Sequence, residues 1–127
     1  MTKLNKKILI VEDNEKNRRM MRDILTYHGY EIIEAENGEE AIKMAKEFNP
    51  ELILMDMQMP VMDGFAATSI LKNDPETRRI KIIAVTSFAM VGDKEKILQA
   101  GADDYISKPL NTRELPERVR KILEEVL

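Results

Sequence analysis

Glu51-Leu52-Ile53-Leu54-Met55-Asp56 is an apolar run that ends on an acid. Four apolar residues without polar alternation are expected of a strand covered on both faces, and such strands belong to parallel sheets. Outward from this run, short apolar runs, several of them almost continuous, lie at Lys7-Ile8-Leu9-Ile10-Val11 and Tyr30-Glu31-Ile32-Ile33-Glu34-Ala35. Others lie at Ile80 to Val85 and at Asp104-Tyr105-Ile106-Ser107.

Helical spacings fill the gaps. Met20, Met21, Ile24 and Leu25 recur at helical intervals, and Gly29 supplies a stop. Asn37-Gly38 opens a second helix through Ala41, Ile42 and Ala45 that ends before Pro50. Asp63 is expected to cap a third, with Phe65, Ile70 and Leu71 inward. Gly92-Asp93 starts a fourth, which carries Ile97 and Leu98 and stops at Gly101. The last places Leu115, Val119, Ile122 and Val126 on one stripe, with Pro116 near its start, where a missing N–H does least harm. Strict βα alternation predicts an α/β fold: a right-handed, doubly wound, five-stranded parallel sheet in flavodoxin-like order 2-1-3-4-5, with helices on both faces.

Bulk composition narrows the class. A chain of 127 residues suffices for one core, so residues 1–127 are expected to form a single domain. Cys is absent, which excludes disulfides and thiolate zinc sites and fits a reducing cytoplasm. No apolar run approaches the ~20 residues of a membrane span. The run behind the basic N-terminus, Ile8 to Val11, is far shorter than the ~7–15 residues of a signal-peptide core. A net charge of −3 gives no support for direct DNA binding.

In this fold a ligand sits beyond the C-terminal ends of strands 1 and 3. Glu12 and Asp13 follow the first and Asp56 follows the third. Three carboxylates at one edge repel, so at least one should have a raised pKa without a cation. A hard divalent cation such as Mg²⁺ relieves that repulsion. Strand 4 brings the hydroxyl of Thr86 to the same edge, and strand 5 brings the ammonium of Lys108. A nucleophile, a metal cage, a hydroxyl and a cation are what phosphoryl transfer requires. Asp56, placed by the central strand, is the most plausible nucleophile; Glu12 and Asp13 then serve the metal, with the Gln58 backbone carbonyl as a further ligand. Lys108 must also turn its ammonium back into the site, which makes Lys108-Pro109 a candidate cis peptide.

The segments Val11-Glu12-Asp13-Asn14, Leu54-Met55-Asp56-Met57-Gln58-Met59-Pro60, Asp63-Gly64, Ala84-Val85-Thr86-Ser87 and Tyr105-Ile106-Ser107-Lys108-Pro109 together resemble response-regulator receivers. The match runs in order over essentially the whole chain. The resemblance implies a Mg²⁺-dependent phosphoacceptor at Asp56, with Glu12 and Asp13 on the metal. It implies Thr86 and Lys108 on the phosphoryl group and Tyr105 as an aromatic switch. A histidine kinase or histidine phosphotransferase would donate the phosphoryl group. A downstream protein would then read the face of helix 4, strand 5 and helix 5. Phe88-Ala89-Met90-Val91-Gly92-Asp93 is further similar to single-domain regulators of the DivK type, and also to receivers of hybrid kinases. Gln58 and Phe88, two residues past Asp56 and Thr86, are expected to border the path of a hydrolytic water.

Other readings are weaker. An aspartate-nucleophile phosphatase of the haloacid dehalogenase type needs a second Asp as general acid, where this chain has Gln58. A pseudo-receiver would normally have lost Asp56, Lys108 or an acidic ligand. No Walker or dinucleotide glycine pattern occurs. The expectation is therefore a phosphoacceptor signalling domain, not an enzyme acting on other substrates. No output domain is expected, and excision from a hybrid kinase is the alternative. Asp63 is read as a helix cap and His28 as structural.

Overall fold

A computed structural model of the chain describes residues 6–59, 61–87 and 91–124, with the backbone alone for 91–93. Pro60, Phe88 and Val126 lie outside the described residues. The strands are β1 (Lys7–Val11), β2 (Glu31–Ala35), β3 (Leu52–Asp56), β4 (Lys81–Thr86) and β5 (Asp104–Ser107). They alternate with α1 (Glu15–Tyr27), α2 (Gly38–Phe48), α3 (Gly64–Asn73), α4 (Val91–Gln99) and α5 (Glu114–Glu124). The sheet is parallel, in the order β2-β1-β3-β4-β5.

Every residue of β3 is buried, because helices cover both faces of the sheet. Strand side chains alternate between those faces. Ile8 and Ile10 of β1, Leu52 and Leu54 of β3, and Ile83 and Val85 of β4 pack with Met21 and Leu25 of α1 and Leu115, Val119, Ile122 and Leu123 of α5. The intervening residues Leu9, Val11, Ile53, Met55, Ile82 and Ala84 pack with Ala41 and Ala45 of α2, Ala67 and Leu71 of α3, and Ile97 of α4. Each large aliphatic side chain buried in this way contributes about 1.5–3 kcal/mol.

The helices begin where short polar side chains satisfy their first N–H groups. Asn14 Oδ1 accepts from the Asn17 N–H at 2.9 Å, Asn37 Oδ1 from Glu40 at 2.9 Å and Asp63 Oδ1 from Ala66 at 2.9 Å. Asp63 is thus a cap, and His28 closes α1 as its C-cap with its ring edge-on to Tyr27. Gly29, at φ 94, supplies the left-handed turn that ends α1.

One sequence expectation needs correction. Ile70 points outward and is 44% exposed, because Ala67, Thr68 and Leu71 form the buried stripe of α3. In α4, Ile97 packs in the core and Leu98 is 45% exposed.

The loop from β3 to α3 is tight. A Cβ on Gly64 would lie 2.8 Å from the Met57 Cα and collide with the Asp56 carbonyl, so glycine lets α3 start against the end of β3. Val61, in the same loop, has φ 70 and is 80% exposed. A β-branched residue is disfavoured there by roughly 1–2 kcal/mol. Val61→Gly should therefore stabilise the protein by about 1 kcal/mol, since an exposed side chain takes little packing with it. Urea denaturation measures this, and an unchanged or lower midpoint would refute it.

Candidate functional site

The ladder of backbone bonds runs one residue past three strands. The Glu12 N–H donates to the Ala35 carbonyl at 3.1 Å, Met57 to Val85 at 3.0 Å and Lys108 to Thr86 at 2.7 Å. Strand alternation therefore continues into the site. Val11 lies beside Met55 in the β1–β3 register, so Glu12 and Asp56 come next, side by side. Both fall on the α1–α5 side of the sheet, as does Lys108, two residues past Ile106. Thr86 and Tyr105 have the opposite parity, on the α4 side, where Tyr105 packs against the second cluster.

Carboxylate oxygens of Glu12, Asp13 and Asp56 all lie within 4.8 Å of one another. Glu12 and Asp56 are 1% exposed, whereas Asp13 is open to solvent. Lys108 Nζ stands 3.5 Å from Glu12 Oε1 and 3.4 Å from Asp56 Oδ1. Asp56 Oδ1 also accepts from the Gln58 N–H at 3.1 Å, and Glu12 Oε2 accepts from the Asn14 N–H at 3.3 Å. The remaining oxygens, Glu12 Oε1 and Asp56 Oδ2, are buried without a hydrogen bond. The Lys108–Pro109 peptide is cis.

Burial first, and then the neighbouring charge of Asp56, push the Glu12 carboxyl above its ordinary 4.5; Lys108 and the Asn14 N–H oppose this. One ammonium serves two buried carboxylates. Buried carboxylate oxygens that receive no hydrogen bond, in an all-oxygen set that includes one exposed carboxylate, suit a hard divalent cation.

The Gln58 side chain turns from β3 toward β4. Its Nε2 donates to Thr86 Oγ1 at 3.1 Å, and its Oε1 accepts from the Ser87 N–H at 3.2 Å. The amide thus joins the loops after β3 and β4, a contact that residue type and spacing did not reveal. Lys94 Nζ lies 5.7 Å from the Tyr105 ring centroid, within cation–π reach, and Arg118 Nη1 donates to the Tyr105 carbonyl at 2.8 Å. Arg18 also went unread. Its Nη1 donates to the Glu12 carbonyl at 2.8 Å and its Nε to Glu34 Oε1 at 2.9 Å. An available signal was the i, i+4 pair Arg18 and Arg22 beside a strand carrying Glu34.

Comparison with known proteins places the chain in a wider set. The family model described as response regulator receiver domain matches residues 8–120. The chain is similar to the polar-differentiation response regulator DivK of Brucella anthropi, at 48% identity over 118 residues, covering 93% of this chain and 96% of that protein. The DivK of Brucella ovis is 46% identical over 120 residues, covering 94% and 98%. Among solved structures, the receiver domain of a Pseudomonas aeruginosa sensor histidine kinase, with a magnesium ion coordinated in its active site cleft, aligns with TM-score 0.88 at 36% identity, covering 95% and 99%. A CheY-like receiver domain protein of Methanospirillum hungatei aligns with TM-score 0.89 at 32% identity, covering 96% of each chain.

The raised carboxyl of Glu12 makes stability depend on pH. Its folded pKa exceeds the unfolded value, so the native state holds the proton more tightly. Its contribution is full below about 4.5 and is lost as pH rises through the folded value. Without divalent cations, Glu12→Gln should melt above the parent at pH 7.5, with the gap closing toward pH 4.5. Parallel melting curves across that range would contradict it.

Proposed function

The chain belongs to the response regulator receiver family, and on that premise we propose that Asp56 is its phosphoacceptor in a Mg²⁺-dependent transfer from a histidine kinase or histidine phosphotransferase. A receiver of this family signals by phosphorylation. The observation that carries the residue assignment is the ammonium of Lys108 at 3.4 Å from Asp56 and 3.5 Å from Glu12, beside a third carboxylate.

In this reading Glu12, Asp13 and Asp56 would hold Mg²⁺, together with the Gln58 backbone carbonyl. The ion, when bound, neutralises charge on the transferring phosphoryl group. Asp56 supplies the nucleophile through a carboxylate oxygen: its bond to phosphorus forms as the nitrogen–phosphorus bond of the donor histidine breaks. Oδ2, which receives no hydrogen bond, has lone pairs available for that step. Lys108 then exchanges its contact with Asp56 for a phosphoryl oxygen.

Thr86 carries the signal. To reach a phosphoryl oxygen its hydroxyl leaves the Gln58 amide, and the vacated space on the α4 side admits the Tyr105 ring. The face formed by α4, β5 and α5 then meets the downstream protein. Gln58, beside Asp56, is assigned to the path of a hydrolytic water; for Phe88, outside the described residues, the same role rests on its sequence position two past Thr86. The receiver family model, which matches residues 8–120, supports reading that stretch as one receiver unit. Cytoplasmic location and the absence of direct DNA contact belong to the same reading. No helix among the described residues is long and apolar enough to cross a membrane.

Asp56→Asn keeps the shape of the side chain and removes the nucleophile. Transfer from a phosphorylated kinase, or from acetyl phosphate with Mg²⁺, should be abolished; acid-labile phosphate on the variant would overturn the assignment. Thr86→Ala should accept phosphate at a rate within about tenfold of the parent, yet leave the Tyr105 ring resonances close to their unphosphorylated positions. A full shift of those resonances in the variant would refute the switch.

A further inference from the structure

Both backbone polar groups of Glu12 are held from outside its loop. Its N–H is taken by the Ala35 carbonyl of β2, and its carbonyl by Arg18 Nη1 of α1 at 2.8 Å. The Arg18 side chain is 13% exposed; its Nε donates to Glu34 Oε1 at 2.9 Å, and Nη2 lies 3.9 Å from Glu36 Oε2. Glu34 is in turn fixed by Arg22, whose Nη1 donates to Oε2 at 3.0 Å. The Glu12 carbonyl belongs to the peptide that joins Glu12 to Asp13. Rotation of that peptide would swing one carboxylate relative to the other.

We propose that Arg18 is a positioning residue for the divalent-cation site, locking the Glu12–Asp13 peptide so that both carboxylates are set before the ion arrives. The proposal rests on the reading of Glu12 and Asp13 as Mg²⁺ ligands. Charge and geometry pull in opposite directions here, which makes the role testable. A guanidinium beside the site repels a dication, so a residue acting through charge alone would weaken metal binding, and its removal would tighten it. A residue acting through geometry strengthens binding, and its removal loosens it. Partners that orient ligands from behind are commonly worth 10–100-fold in metal affinity. Lysine keeps the charge but cannot span Glu34 and the Glu12 carbonyl as a planar fork does.

The experiment is calorimetric titration of MgCl₂ into the full chain and into Arg18→Met and Arg18→Lys, with circular dichroism to verify folding. Arg18→Met should bind Mg²⁺ about tenfold more weakly, and Arg18→Lys should fall between it and the parent. The Mg²⁺ midpoint for phosphoryl uptake from acetyl phosphate should shift by the same factor. The rate at saturating Mg²⁺ should stay within about twofold. Parent-like or tighter binding by Arg18→Met overturns the proposal. If that variant does not fold, parent-like binding by Arg18→Lys overturns it. A parent that takes up no Mg²⁺ sinks the ligand assignment itself, and this proposal with it.

Discussion

Glu12 and Asp56 stand side by side at the edge of a parallel sheet, both stripped of water, with one ammonium between them. Removing a charge from water costs several kcal/mol even after relaxation, and a single cation can compensate only one of two carboxylates. Their adjacency is not incidental, because the β1–β3 register puts them next to each other. The remaining charge is what the surrounding structure manages. Backbone N–H groups of Asn14 and Gln58 each take one oxygen, and Asp13 keeps the cluster open to solvent on one side. Such a site is set against the folded state's own stability and in favour of a cationic or phosphoryl ligand.

The sheet also separates chemistry from readout. Glu12, Asp56 and Lys108 lie on the parity shared with α1 and α5, while Thr86 and Tyr105 lie on the parity shared with α2, α3 and α4. Gln58 spans the division: its backbone N–H touches Asp56 and its side-chain amide touches Thr86. A change at the acid therefore has a short physical route to the other face.

The fold and the acids were legible because they obey simple rules. An apolar run that stops at Glu12 or Asp56 marks a strand end, and a parallel sheet brings those ends to one rim. Asp63 was legible as a cap because its side chain satisfies the local N–H of Ala66. Ile70 was misplaced because α3 buries a narrow stripe, and an apolar residue beside that stripe looks the same in one dimension. The Gln58 bridge and the Arg18 fork were hidden for a different reason. A long polar side chain reads as solvated until tertiary structure shows what it can reach. Val61 was hidden because its left-handed backbone runs against its own residue type.

Alternation along the strands has a further consequence for how such a chain can vary in length. Between Ile8 and Glu12, Leu52 and Asp56, or Ile106 and Lys108, one inserted residue would move a functional side chain to the wrong side of the sheet. The opposite rim, where Asn49 and Pro50 lead into β3 and the segment from Asp74 to Ile80 leads into β4, carries none of these side chains. Insertions at its exposed positions, such as Pro75 and Glu76, leave every functional side chain on its own face, at a cost that grows slowly with loop length. The two ends of one sheet should thus accept indels very differently.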